Sequence, residues 1–167
     1  AFAGCKGFVG ELNIPNGVIS IGNESAIGNN TGAFQDCSGF TGNLVIPNSV
    51  TSIGEKTFSD CKGLTGELRI SDNITNIGSD AFVYCSGLTG ELVIPDSVTS
   101  IGAGAFEGCS GFTGDLNIPN SVTNVGFRAF KGCSGFTGDL NISNNITNIE
   151  LKLPTSHGVL NLEKSIL

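Results

Sequence analysis

The 24-residue segment 88–111, Leu-Thr-Gly-Glu-Leu-Val-Ile-Pro-Asp-Ser-Val-Thr-Ser-Ile-Gly-Ala-Gly-Ala-Phe-Glu-Gly-Cys-Ser-Gly, recurs with small changes along most of the chain. Cysteines mark the period: Cys37, Cys61, Cys85, Cys109 and Cys133 follow one another at intervals of 24, and Cys5 stands 32 residues before Cys37. A unit this short cannot bury its apolar side alone, so units repeated at a fixed period must stack on one another as a solenoid. The expected organisation is one elongated repeat domain over residues 1–149, with an insertion at 23–30 that accounts for the long first interval. After Ile149 the pattern fails, and 150–167 reads as a divergent C-terminal cap or tail over the last open edge.

Inside each unit the apolar residues are ordered. Leu12, Leu44, Leu68, Leu92, Leu116 and Leu140 are each followed two residues on by isoleucine, as in Leu92 and Ile94. A spacing of two is strand spacing, so Leu and Ile face inward and the residue between them faces out. Pro15, Pro47, Pro95 and Pro119 end the strand, because proline cannot donate to a ladder, and Ser71 and Ser143 take that place in the other two units. A shorter apolar pair follows, Val98 with Ile101 in the reference unit, and predicts a small second strand. Glycines 22, 54, 78, 102 and 126 then mark a corner at which a positive φ is expected. The Ala-Phe-x-x-Cys step that follows has the spacing of a single helical or 3₁₀ turn. Together these readings predict an α/β-type repeat solenoid with parallel strands, short second strands and single helical turns.

The formal charge of −7 and the pI near 4.5 exclude a nucleic-acid partner, which needs a basic stripe, whereas the eight Lys and Arg here are scattered. No apolar run approaches the roughly 18–20 residues that span a bilayer, so no membrane insertion is expected. The chain begins within a unit and contains no Met, and it reads as a piece of a longer protein or a processed product.

The unit Leu-x-Ile-Pro-x-Ser-Val-Thr-x-Ile-Gly-x-x-Ala-Phe-x-x-Cys resembles the BspA-like leucine-rich repeat of surface proteins from oral and gut bacteria, spirochaetes and parasitic protists. The resemblance covers residues 1 to about 149 in six near-copies. It implies a curved, right-handed solenoid with a parallel sheet on its concave side. It also implies a secreted or surface-displayed chain that adheres to host proteins or other cells. Repeats of that family are usually one residue shorter, and the extra residue here lies in the Thr-Gly-Glu or Thr-Gly-Asp step before the strand.

Few residues offer chemistry. The cysteine column sits in apolar surroundings and reads as buried free thiols, with stacked disulfides or a metal as the competing readings. Phe2, Phe34, Phe58, Phe82, Phe106 and Phe130 read as an aromatic core, while Phe127 replaces Ala103, Ser79 or Glu55 of sister units and should be exposed. His157 lacks a repeating partner, and Gly54-Glu-Lys-Thr57 lacks the upstream glycine of a phosphate loop. No catalytic residue, metal or cofactor is expected. The outward strand positions form the informative surface: Glu11, Asn43, Glu67, Glu91, Asp115 and Asp139 in one column, Asn13, Val45, Arg69, Val93, Asn117 and Asn141 in the next. Five carboxylates on neighbouring strands repel one another, which suits either a basic partner or a merely solubilising face. Glu67, Arg69, Glu91, Val93, Asp115 and Asn117, being mid-stack, are the candidate ligand-binding residues. Thr51, Thr75, Thr99, Thr123 and Thr147 face out of the second strand as β-branched strand formers, and a water-ordering array is the alternative. Asn23, Asn29, Asn73 and Asn145 head Asn-x-Ser/Thr sequons, possible glycosylation sites if the source is a eukaryote with a secretory pathway. The expected function is adhesion to an extracellular or host protein or glycan, with homo-association through the solenoid ends into filaments as the alternative.

Overall fold

A computed structural model describes residues 2–22 and 32–149. The insertion at 23–30 and the cap or tail at 150–167 lie outside the described residues, as do Asn23 and Asn29. Within those bounds the chain is a parallel-strand solenoid, built from strands of two or three residues that pair with their counterparts in the next coil.

The continuous sheet is made by the segment expected to be minor. Strands β1 (Ser20–Ile21), β3 (Ser52–Ile53), β5 (Asn76–Ile77), β7 (Ser100–Ile101), β10 (Asn124–Val125) and β12 (Asn148–Ile149) form one six-stranded parallel sheet. Its register matches equivalent residues throughout, from Ile21 opposite Ile53 to Val125 opposite Ile149. The Leu-x-Ile side, expected to carry the principal sheet, is cut into three two-stranded patches: β2 (Leu44–Val45) with β4 (Leu68–Arg69), β6 (Gly90–Glu91) with β8 (Phe112–Thr113), and β9 (Leu116–Ile118) with β11 (Leu140–Ile142).

The interruption has a local cause in the column Glu11, Asn43, Glu67, Glu91, Asp115. Where that residue is short, its side-chain oxygen reaches the next coil: Asn43 Oδ1 accepts from the Glu67 amide and Asp115 Oδ1 from the Asp139 amide, both at 2.8 Å. Those coils continue in the 24-residue register, Leu44 opposite Leu68 and Leu116 opposite Leu140. A glutamate is one methylene longer and makes no such bond. After Glu11, Glu67 and Glu91 the next coil pairs two residues early, through Gly10 with Phe40, Glu67 with Thr89 and Glu91 with Thr113. The glycine of the Thr-Gly step follows suit. Gly42, Gly90 and Gly114, which follow glutamate coils, have φ of 77°, 80° and 77°, whereas Gly66 and Gly138, which follow Asn43 and Asp115, are not in that region.

No helix forms among the described residues. The Ala-Phe-x-x-Cys stretch is a run of tight turns, with bonds such as Cys109 N to Phe106 O at 3.1 Å, and left-handed residues end each one. Asp60, Tyr84 and Gly108, immediately before their cysteines, have φ of 58°, 58° and 76°. A residue with positive φ cannot extend a right-handed turn into a helix. The corner glycines also differ from expectation. Gly22 does have a positive φ of 81°, but Gly78, Gly102 and Gly126 do not. Backbone of the preceding coil would collide with any Cβ at these three positions, so close approach between coils is what requires glycine there.

The core is a set of columns. Phe58, Phe82, Phe106 and Phe130 are fully buried, and consecutive rings from Phe2 to Phe130 stack with centroids 5.2–5.6 Å apart. Beside them the thiols of Cys37, Cys61, Cys85, Cys109 and Cys133 each donate to the carbonyl of a phenylalanine in the preceding coil, at 2.9–3.0 Å. All six cysteines are free and those five are buried. Burial pushes the Cys61 and Cys133 thiols up to about 12 and those of Cys85 and Cys109 well above the ordinary value.

A thiol held protonated in the fold and free to ionise when unfolded makes stability fall as pH rises. The loss should run from about 9 toward about 12, at up to about 1.4 kcal/mol per pH unit for each thiol. Urea unfolding at about pH 8 and about pH 10 measures it. A chain carrying Cys61→Ser and Cys133→Ser, whose hydroxyls can make the same bond without ionising, should lose less stability over this interval than the parent. An equal loss would show that these thiols are not the cause.

Candidate functional site

The outward positions of the Leu-x-Ile side, apart from half-buried Asp115, are exposed because strand alternation turns them away from the inward Leu and Ile columns. Six of them were candidates on sequence grounds, and the structure separates them. Glu91, Val93 and Asn117 line one cleft of about 330 Å³, together with Asp96, Asn120 and Asn141 and with Leu92, Ile94, Ile118 and Pro119 beneath. Val93 contributes an apolar surface that is 60% exposed. Asn141 Nδ2 donates to Asn117 Oδ1 at 2.6 Å, which fixes both amides relative to each other.

The remaining three candidates stand outside that cleft. Glu67 and Arg69 engage each other, Arg69 Nη2 lying 3.1 Å from Glu67 Oε2. Asp115 is half-buried and spends one carboxylate oxygen on the Asp139 amide. Its place in the acidic column therefore has an architectural cause, and the column is not a uniform strip of free charge. Asp96 and Asn120 were not among the candidates. They follow Pro95 and Pro119, where the alternation used to assign faces stops. The signal that finds them is the proline turn itself, which brings the residue after the strand back beside its outward face: Val98 N donates to Pro95 O at 3.0 Å, and Val122 N to Pro119 O at 3.1 Å.

Other polar columns are tied into the stack. The Thr75, Thr99, Thr123 and Thr147 hydroxyls donate to the carbonyl of the equivalent threonine one coil back, at 3.0–3.5 Å. Of the sequon asparagines, Asn73 Nδ2 donates to Asn48 O at 2.7 Å and Asn145 Nδ2 to Asn120 O at 2.9 Å, although both residues are exposed. Phe127 is 40% exposed, with the Arg128 guanidinium 4.6 Å from its ring centre. At the first coil a second hollow of about 560 Å³ is lined mostly by apolar residues, including Phe2, Phe8, Val9, Phe34 and Phe40. Among the described residues no group of His, Cys, Asp and Glu is arranged to hold a metal, and no helix is long and apolar enough to cross a membrane.

Stacked parallel coils with inward Leu, Ile, Phe and Cys columns define a solenoid of the leucine-rich-repeat type. The chain belongs to the BspA type leucine-rich-repeat family, whose model matches residues 25–153 in six copies. Among solved structures it is similar to a leucine-rich repeat protein from Bacteroides ovatus ATCC 8483, with 31% identity and a TM-score of 0.67, over 83% of this chain and 34% of that one. A leucine-rich repeat protein of T. pallidum shares the fold with a TM-score of 0.61 and 24% identity, over 76% of this chain and 64% of the other. A leucine-rich cell surface protein of Faecalibacterium prausnitzii A2-165 matches with a TM-score of 0.48 and 25% identity, over 67% of this chain and 35% of that one. The chain thus spans about a third of the Bacteroides ovatus protein and under two thirds of the T. pallidum protein. No curated protein matches the sequence.

The bond from Asp115 to the next coil predicts an asymmetric response to substitution. Asp115→Ala leaves the Asp139 amide without its partner and should cost about 0.5–1.5 kcal/mol, whereas Asp115→Asn keeps the acceptor and should cost little. Chemical denaturation of the two variants checks it, and equal stabilities would remove the architectural role.

Proposed function

We propose that this chain is a non-catalytic binding module, displayed on or released from a cell surface, that adheres to an extracellular or host protein or glycan through its Leu-x-Ile face. The observation that carries the reading is the cleft at Glu91, Val93 and Asn117. It is open, it joins carboxylates and amides to an exposed apolar side chain, and it rests on a stack whose inner columns hold it rigid. Membership of a leucine-rich-repeat family supports the same side, since solenoids of this kind bind along extended faces and the resemblance assigns this face to the concave surface. Glu67, Arg69 and Asp115 flank the cleft and would form the rim of such an interface.

The test uses a change already present in the chain. Val93→Arg copies the residue of the preceding coil, Arg69, so the fold tolerates it, while a long cation then occupies the cleft beside Glu91. Thermal stability should stay unchanged, and adhesion to surfaces coated with extracellular-matrix proteins or mucin-type glycans should fall about tenfold or more. Undiminished adhesion by the folded variant would remove the face from consideration.

A second reading is end-to-end self-association, in which the coils of one molecule stack on those of another through backbone pairing of the kind that already joins coil to coil. Sedimentation across a wide concentration range tests it: growth into long polymers that survive dilution is the expected result, and a constant monomer overturns it.

A further inference from the structure

One substitution between neighbouring coils leaves a carboxylate without its cation. In the third coil Glu67 holds the guanidinium of Arg69, two residues further along the same strand, at 3.1 Å. The matching residues one coil later are Glu91 and Val93. Among the described residues no ion pair reaches Glu91 or Asp96, and the cleft they line contains neither Lys nor Arg. The amide pair beside them is polarised in one sense. Asn141 Nδ2 uses one of its two hydrogens on Asn117 Oδ1, and the ends that face away from this bond are Asn117 Nδ2, a donor, and Asn141 Oδ1, an acceptor.

We propose that this cleft receives an arginine side chain from an extended segment of a protein partner, its guanidinium on Glu91, its backbone along Asn117 and Asn141, and Asp96 adding negative potential at the far end of the cleft. The proposal rests on the binding-face reading above and narrows it to one chemistry. The chain itself shows what a glutamate in this column takes, since Glu67 already holds a guanidinium there. The planar, five-donor fork of arginine pairs with a carboxylate through two parallel bonds, which the point charge of lysine cannot do. Its methylene stem suits the exposed Val93 side chain, which stands where Arg69 stands one coil earlier. A peptide group carries one donor and one acceptor, the complement of what the two amides leave free. A saccharide would also satisfy the amides, but it gives no use to two carboxylates with no cation.

The test is a nuclear magnetic resonance titration of the isotope-labelled chain with a short glycine–serine peptide containing one arginine, and with the same peptide carrying citrulline instead. The arginine peptide should shift the Val93 methyls and the Asn117 and Asn141 side-chain amides selectively, and the citrulline peptide should not. Glu91→Gln with Asp96→Asn should weaken the arginine peptide about fivefold or more. Gln and Asn keep the shapes of the residues they replace, and Asn16, Asn48, Asn120 and Asn144 already stand at the Asp96 position of sister coils, so the fold is retained. Asp36→Asn with Asp60→Asn, in the turns before Cys37 and Cys61, makes the same change in net charge away from the cleft and should leave binding as it was. Equal binding of the citrulline peptide, equal weakening by both double variants, or silence at the cleft up to about 10 mM peptide would each overturn the proposal. If a neutral oligosaccharide gives these shifts and the arginine peptide does not, the arginine assignment falls while the face stands. If Val93→Arg leaves adhesion intact, the face itself falls.

Discussion

Backbone hydrogen bonding from each coil to the next is the constraint on which everything else depends. Phe58, Phe82 and Phe106 each send their amide to an alanine carbonyl in the following coil at 2.8 Å, and bonds of this kind repeat around the circumference. They fix the spacing between coils near the ~4.8 Å of any parallel ladder. A side chain at a given position must therefore tolerate a copy of itself one strand away. Phenylalanine does so by stacking, threonine by donating to the carbonyl beneath, and cysteine by giving its thiol proton to a neighbouring carbonyl. Charged residues do so poorly, which accounts for a chain with only 14% of them.

The inner columns were legible in the sequence because their chemistry repeats at the same interval as the backbone. Leu92, Ile94, Phe106 and Cys109 sit inside as the pattern demands. The ranking of the two strand regions was not legible. Leu-x-Ile shows a clean alternation and invites the reading of a principal strand, yet alternation reports which way a side chain points and says nothing about whether the backbone finds a partner. The pair Ser100–Ile101 is too short to alternate, and it belongs to the sheet that never breaks. The expected helical turn failed for a related reason. A spacing of three suits a helix, but the left-handed Asp60 and Tyr84 are not glycines, so no residue type announced the reversal.

At the site, Glu91, Val93 and Asn117 are legible as outward strand positions in the middle of the stack. The bond of Asp115 was not legible, because its partner is an amide in the following coil, and neither were Asp96 and Asn120, which lie just past the proline where the alternation stops. Strand periodicity identifies a face but not the edges of a cleft, and those are set by where the chain turns.

The choice between glutamate and a shorter residue after the Thr-Gly step has a consequence for how such an array can grow. A coil that carries Asn43 or Asp115 sets the backbone of its successor: the following glycine leaves its left-handed conformation and the pairing keeps the 24-residue register, whereas after a glutamate coil it falls two residues early. Glutamate coils impose no such demand and can be copied one after another, as the Glu67 and Glu91 coils are. Because every successor carries the same Thr-Gly step and glycine accepts either conformation, a single side chain in one coil selects which of two joints follows it. The Asn43 and Asp115 coils act as punctuation in an otherwise repetitive text.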